Sequence, residues 1–208
     1  MSALAEKWVE PRVGGRTAIA LTWWLAALIG GAIGGALPHP LQGAAASAAA
    51  VGLLQTLSFR PDLRYGAGWF CASALAGSLG FGAAVIGGLA FATLTGGEPA
   101  ALREGLAAWA TLSAIGGLLL AAAQAPLTGR RGLGIAWCLL GLCAGAVLWP
   151  AGLTLGHSLG VEASRKAAAL LPQLADHEGS LRQAVEFATA WFLHSLPFGL
   201  MVAANDRR

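Results

Sequence analysis

The chain has 208 residues, of which 56% are hydrophobic and only 11% are charged, and its formal net charge at neutral pH is +3. A soluble globular domain carries about 25% charged residues, so this composition excludes a soluble domain and indicates a polytopic membrane protein. The basic residues form no run suited to nucleic acid, and we therefore expect no nucleic-acid partner.

Five long segments contain no Asp, Glu, Lys or Arg, and each can cross an apolar bilayer core, which takes about 20 residues, once or twice. The first is interrupted by Pro-His-Pro at residues 38–40, which predicts a hairpin of two spans. Pro150 lies in the fifth span, where we expect a kink. The sequence predicts one integral membrane domain, an all-α bundle of six transmembrane helices. The spans are expected near residues 18–37, 41–58, 66–92, 106–127, 133–155 and 184–204.

The basic residues also predict an orientation. With both termini in the cytoplasm, the inner segments carry nine Lys and Arg residues and the outer segments carry four. The positive-inside rule favours this arrangement, so we predict a multi-pass protein with both ends in the cytoplasm. Lys7, Arg12 and Arg16 before an apolar run would also fit a signal peptide. The run is about 20 residues long and continues into a second span, which favours a retained helix.

One long polar segment, residues 162–183, lies on the outer side in this topology. Its charged and apolar residues alternate loosely at helical spacing, and Pro172 interrupts the pattern. We predict a short amphipathic segment on the outer membrane surface. A solvated connector would explain the same residues.

The helical hairpins share a pattern that indicates an internal repeat. Trp23, Trp69 and Trp137 each lie near the start of an odd-numbered span, at the expected membrane interface, and a glycine follows eight residues later. The spans after the first two tryptophans end in Gln55 and Gln124, each followed by arginines and the next tryptophan. Because the copies share one orientation, we predict degenerate parallel hairpin repeats with an eroded third copy.

Part of this pattern resembles a set of uncharacterised bacterial polytopic membrane proteins. Their recurring signature is Gly-x-x-Gln, a Leu-Arg pair, then Trp and a helix of small residues. The resemblance covers residues 23–80 well and 124–145 loosely, and it implies a multi-pass protein of the bacterial cytoplasmic membrane without an assigned activity. The matching residues are Gly52, Gln55, Leu63, Arg64, Trp69 and Gly77.

Small residues recur every four positions along several spans. In lipid, such strips let helices approach closely, so we expect packing surfaces within the bundle or surfaces that receive a partner's helix. Gln55 and Gln124 are expected to form hydrogen bonds between helices or to cap a neighbouring span, and ligand contact is the alternative role. The strips include Gly30, Gly34, Ala76, Gly80, Gly141 and Gly145.

Residues 156–160, GHSLG, match the Gly-x-Ser-x-Gly pattern of serine hydrolases. That pattern works as a strand-to-helix turn on an α/β sheet, which these segments cannot build. Ser158 and His194 also superficially resemble the pair of a rhomboid intramembrane protease. The serine ends the fifth span instead of beginning the fourth, and His194 lies about ten residues deeper, so no base–nucleophile contact is expected. We predict a non-enzymatic protein.

The histidines and cysteines are the other candidates for chemistry. His194, flanked by aromatic residues, is the candidate for binding a haem or chlorophyll-type pigment, although a buried hydrogen-bonding role explains it as well. The other three histidines map to the outer side without ligand spacing, and the three cysteines lie in apolar segments, so no metal site is predicted. Those residues are His39, His157, His177, Cys71, Cys138 and Cys143.

Three functions remain at this point. The leading hypothesis is an accessory, stabilising or assembly subunit of a larger membrane complex, with membrane lipids and other membrane protein subunits as partners. The span interiors lack Asp, Glu, Lys and Arg, which disfavours proton-coupled transport through buried carboxylates. A carrier or channel for a neutral or lipid-like molecule is the alternative. Pigment binding through His194 in a photosynthetic or respiratory complex is the third.

Overall fold

The computed structural model describes residues 16–59, 63–94, 99–128 and 131–205, and the prediction of an all-helical fold is confirmed there. Lys7 and Arg12 lie outside the described residues. Short 3-10 turns follow the fourth helix, at Ala125–Thr128, and the fifth helix, at Pro172–His177. The six long helices are α1 (Arg16–Gly35), α2 (Pro40–Phe59), α3 (Leu63–Leu94), α4 (Pro99–Gln124), α5 (Arg131–Leu170) and α6 (Glu178–Asn205).

Five of these six helices are long and apolar enough to cross a membrane, as an integral membrane protein requires. The helix that falls short is α2, which has the same 20-residue length as α1 but is rich in alanine. The expected span near residues 41–58 therefore exists as a helix, and its passage through the membrane remains a prediction.

Prolines set three of the helix boundaries. Pro40 and Pro99 begin α2 and α4, where the missing proline N–H removes no helical hydrogen bond. Leu171, directly before Pro172, has φ −133° and ψ 87°, the extended conformation that a following proline favours. Pro150, in contrast, lies inside α5 with helix on both sides, so it does not divide that span.

The segment 162–183 does not form a helix of its own. Its first nine residues continue α5, and its last six belong to α6. As a result α5 has 40 residues, or about 60 Å at 1.5 Å per residue. The interruption expected at Pro172 is present, but it separates two long helices that extend the bundle.

The helices form a closed ring. Each packs against its neighbours in sequence, and α6 also packs against α1. Leucine and isoleucine side chains are exposed on the outside of the ring, for example Leu75, Leu79 and Ile135. Aromatic side chains fill the inside, and Trp137, Trp149, Phe81 and Phe187 are fully buried. Exposed aliphatic side chains on the outside are expected of a bundle that is surrounded by lipid.

Glycines bring the helices of the ring into close contact. A Cβ atom on Gly80 of α3 would collide with the carbonyl oxygen of Gly116 on α4. A Cβ on Gly117, the next residue of α4, would collide with the carbonyl oxygen of Gly141 on α5, and Gly145 lies against the same stretch of α4. Substitution at these crossings would have to push two backbones apart.

Two glycine faces of α1 contact two different helices. Gly30 and Gly34 lie against the backbone of α2, whereas Gly31 and Gly35 lie against the backbone of α6. Together with the α3–α4 and α4–α5 crossings, these contacts place five of the six predicted strip residues inside this chain's own bundle. Ala76 is half-buried. The glycine strips are therefore not open surfaces for a partner's helix.

Candidate binding site at the centre of the bundle

Three tryptophans from the odd-numbered helices meet inside the ring. Trp23, Trp69 and Trp137 contact one another edge to face, with ring centroids 5.7, 5.9 and 5.9 Å apart. All three side chains are buried inside the protein, and their place at a membrane interface stays a prediction. We call these three residues the tryptophan triangle. Phe198 packs beside it, with its ring centroid 4.7 Å from that of Trp137.

Two glutamines fix this triangle to the even-numbered helices. The indole N–H of Trp69 donates to Oε1 of Gln55 at 3.1 Å, and that of Trp137 donates to Oε1 of Gln124 at 3.1 Å. Gln124 also donates from Nε2 to Oγ of Ser73 at 3.0 Å. These bonds link α2 to α3, α4 to α5 and α3 to α4.

A second aromatic cluster lies further along the helices, inside the same bundle. Phe81 contacts Phe187, Trp191 and Trp149, with ring centroids 5.0, 5.1 and 5.5 Å away. Trp191 donates its indole N–H to Oγ of Ser47 at 3.0 Å, which links α6 to α2 across the bundle. We refer to these four rings as the upper aromatic cluster.

His194 lies between the two clusters. Its imidazole stacks on Trp149 with ring centroids 4.2 Å apart and planes inclined by 17°, and Phe198 lies 5.2 Å away. The side chain is only 3% exposed. Its Nδ1 atom has no hydrogen-bond partner among the described residues. Buried polar atoms without partners are rare in proteins, so this one needs an explanation.

A cavity of about 20 Å³ separates the two clusters. Trp23 of the tryptophan triangle, the neighbouring Phe198 and Trp191 of the upper aromatic cluster all line it. Its volume suffices for one water-sized group, since a single water needs about 10–15 Å³ on this measure. The polar residues of the lining come from four helices and are Gln55, Ser73, Gln124, His194 and Ser195.

The structure does not bring Ser158 and His194 together. Ser158 is exposed on α5, and its hydroxyl donates to the carbonyl oxygen of Thr154. Gly156 packs on Glu186, so His194 lies eight residues further along α6, a distance of about 12 Å. The pair therefore lacks the contact that a serine nucleophile and its base require.

The other histidines remain on the surface. His39, His157 and His177 are exposed, and Nδ1 of His157 lies 2.7 Å from Oε1 of Glu186. Within the described ranges, no group of three His, Cys, Asp or Glu side chains is placed to hold a metal ion. Cys71 and Cys143 are exposed and Cys138 is half-buried, and all three are free thiols.

The surroundings of His194 do not fit a haem or chlorophyll-type ring. Trp149 covers one face of the imidazole, and Phe198 and Trp191 lie beside it. The adjoining cavity of about 20 Å³ is far smaller than a tetrapyrrole. A macrocycle would have to displace both the stacked tryptophan and the residues of the cavity.

Sequence reasoning missed several residues of this centre. Ser73 and Ser195, which line the cavity, and Ser47, which receives the Trp191 N–H, had no sequence signal beyond their place in apolar helices. The position of Ser73 one helical turn after Trp69 was the one available indication. Trp149 could have been noticed twelve residues after Trp137, at the spacing of Phe81 after Trp69.

No known protein family, curated protein or solved structure matches this chain.

Proposed function

We propose that the chain is a non-enzymatic integral membrane protein that carries or conducts a small neutral molecule through the centre of its helix ring. The observation that supports this proposal is the polar cavity between the tryptophan triangle and the upper aromatic cluster. Polar groups inside a membrane bundle are costly, and where they occur they commonly mark a substrate path. The closed ring gives such a path a place on the bundle axis.

The chemistry of the lining favours a neutral solute. Besides the indoles, its polar groups are two amides, two hydroxyls and one imidazole, and among the residues that the structure describes no carboxylate, ammonium or guanidinium lines the cavity. An ion that left water for this space would lose its hydration without gaining an opposite charge, at a large cost in free energy. The small volume favours a compact molecule over a lipid-like one.

The proposed orientation and repeat are consistent with this arrangement. We propose both termini in the cytoplasm of a bacterial cell, with the tryptophan triangle towards the cytoplasmic side. Each odd-numbered helix contributes one tryptophan to the triangle, and α2 and α4 contribute Gln55 and Gln124. In α6 the polar groups of the centre are His194 and Ser195. Three hairpin copies, the last with altered polar residues, would produce this pattern.

Solute uptake by reconstituted protein tests the proposal. The purified chain is placed in liposomes, and uptake of glycerol and of urea is followed by stopped-flow light scattering. We expect faster uptake than in protein-free liposomes, and we expect Ser195→Leu to abolish the increase because leucine fills the cavity. Ser158→Leu is the matched control, since Ser158 is exposed and outside the cavity. Equal uptake of both solutes with and without protein would contradict the proposal.

A role as an accessory or assembly subunit of a membrane complex is the second candidate. The glycine strips do not support it, because this chain's own helices cover them. The observation in its favour is the outer end of the α5–α6 hairpin, which extends past the end of α1 at Gly35 and carries exposed Glu162, Arg165 and Lys166. If this role is correct, purification of the chain in mild detergent yields other membrane proteins in stoichiometric amounts. The Arg165→Glu and Lys166→Glu changes are then expected to remove these proteins from the purified sample.

A further inference from the structure

We infer that the central cavity is a binding site for one hydroxyl or primary amide group of a neutral molecule, and that His194 is the residue that recognises it. The inference rests on the proposed function, whose solute it specifies. It starts from a buried atom of one lining residue, Nδ1 of His194, which lacks a hydrogen-bond partner among the described residues. A buried polar group left without a partner destabilises a protein, so a bound group that supplies the partner is favoured.

Three aromatic rings hold the imidazole in place. Trp149 stacks on its face at 4.2 Å, and Phe198 and Trp191 lie 5.2 and 6.2 Å from it between ring centroids. These three rings restrict rotation of the side chain. His194 is therefore held in one position beside the cavity that it lines.

The chemistry of a neutral imidazole selects the group that binds. One of its ring nitrogens donates a hydrogen bond and the other accepts one, depending on the tautomer. A hydroxyl or a primary amide both donates and accepts, so either group satisfies Nδ1 in both tautomers. An ether or a tertiary amide accepts only, and it would leave Nδ1 unpaired whenever that atom is the acceptor.

The neighbouring polar groups complete this selection. Ser195 donates its hydroxyl to the carbonyl oxygen of Phe192 at 2.8 Å, so its oxygen remains an acceptor towards the cavity. Ser73 accepts from Gln124, so its own hydroxyl hydrogen is available as a donor. An acceptor at Ser195 on α6 and a donor at Ser73 on α3 match a bound group that both donates and accepts hydrogen bonds.

Binding can be measured without any transport. The chain is labelled with ¹⁵N-histidine, solubilised in detergent, and titrated with acetamide, with glycerol and with N,N-dimethylacetamide, which has no N–H. We expect acetamide or glycerol to shift the Nδ1 resonance of His194 and dimethylacetamide to leave it unchanged. The exposed His39, His157 and His177 serve as internal controls.

Two sets of variants identify the His194 signal and test the contribution of Ser195 to binding. Changing the three exposed histidines to glutamine leaves His194 as the single labelled residue without touching the core. Ser195→Ala removes one acceptor while keeping the side chain small, and we expect the apparent affinity for the shifting probe to fall about 5-fold, which corresponds to about 1 kcal/mol. Thr154→Ala, outside the cavity lining, is the control.

The outcomes separate this inference from the proposed function. No shift of His194 with either acetamide or glycerol, or an equal shift with dimethylacetamide, would overturn the binding site even if the liposomes take up solute. A selective shift without any solute uptake would sustain the site and refute transport.

Discussion

The indole N–H of Trp137 on α5 donates a hydrogen bond to Oε1 of Gln124 on α4, with 3.1 Å between the two atoms. Both side chains are buried, and Gln124 passes the link on to Ser73 of α3. One glutamine thus joins three helices of the ring. The same geometry between Trp69 and Gln55 joins α2 to α3.

We predict that Gln124→Leu destabilises the folded protein by about 1–2 kcal/mol, because it leaves the Trp137 N–H and the Ser73 hydroxyl without their partner. Thermal unfolding in detergent measures the change. Gln42→Leu is the matched control, since Gln42 is exposed and its replacement should alter stability by less than about 0.5 kcal/mol.

A double-mutant cycle with Trp137→Phe isolates the bond itself. We expect the summed losses of unfolding free energy in the two single variants to exceed the loss in the double variant by about 0.5–1.5 kcal/mol, the range found for hydrogen bonds between membrane helices. Strict additivity would mean that the Trp137–Gln124 contact does not stabilise the bundle.

The glycine crossings give a second prediction, which compares two positions of α3. A Cβ at Gly80 would collide with the backbone of Gly116, whereas a Cβ at Gly82 would have nothing within 4 Å. We therefore expect Gly80→Ala to destabilise the protein by about 1–3 kcal/mol. Gly82→Ala should be neutral or stabilising by up to about 1 kcal/mol, because alanine favours a helix over glycine. Equal thermal shifts for the two variants would contradict this helix–helix geometry.

The sequence was sufficient to locate the helices but not all of their ends. Segments free of charged residues and the prolines at 38–40 placed all six helices. The extension of α5 through residues 162–170 was not expected, because the predicted span was matched to the thickness of a bilayer. The alanines of that stretch are good helix formers, and the exposed Lys166–Glu162 pair, with 3.0 Å between Nζ and Oε1, adds a contact one turn apart.

The central site could be predicted only in part. The sequence singled out Gln55, Gln124 and His194 separately, and it related the three tryptophans to one another by their spacing. Their meeting on one axis depends on the contact of α6 with α1 and on the rotation of each helix about its own axis. Neither property follows from apolar composition, because nearly every face of these helices is apolar.

The proposed orientation makes a third prediction, which labelling of intact cells can check. In a chain whose three native cysteines are changed to alanine, a single cysteine replaces either His177, in the turn between α5 and α6, or Ala204, near the end of α6. We expect a membrane-impermeant maleimide to label the first in intact cells and the second only after lysis, because His177 and the end of α6 lie at opposite ends of that helix. The reverse pattern would invert the topology.

The tryptophan triangle gives the last prediction, which concerns access to the cavity. Trp23 lines the cavity, and the rings of Trp69 and Trp137 pack edge to face against the ring of Trp23. The three indoles therefore close one end of the cavity. We expect Trp137→Ala to raise solute uptake in liposomes several-fold, because it removes a ring and the hydrogen bond that holds Gln124.

A second large tryptophan supplies the control for this experiment. Trp109 is also buried, but it stacks on Phe91 and donates its N–H to the carbonyl oxygen of Ala84, away from the triangle and the cavity lining. Trp109→Ala creates a cavity of similar size between α3 and α4 and should leave uptake unchanged. An equal increase in both variants would show that loosened packing, not the removal of a closure, admits the solute. Unchanged uptake with Trp137→Ala would mean that the triangle does not limit access.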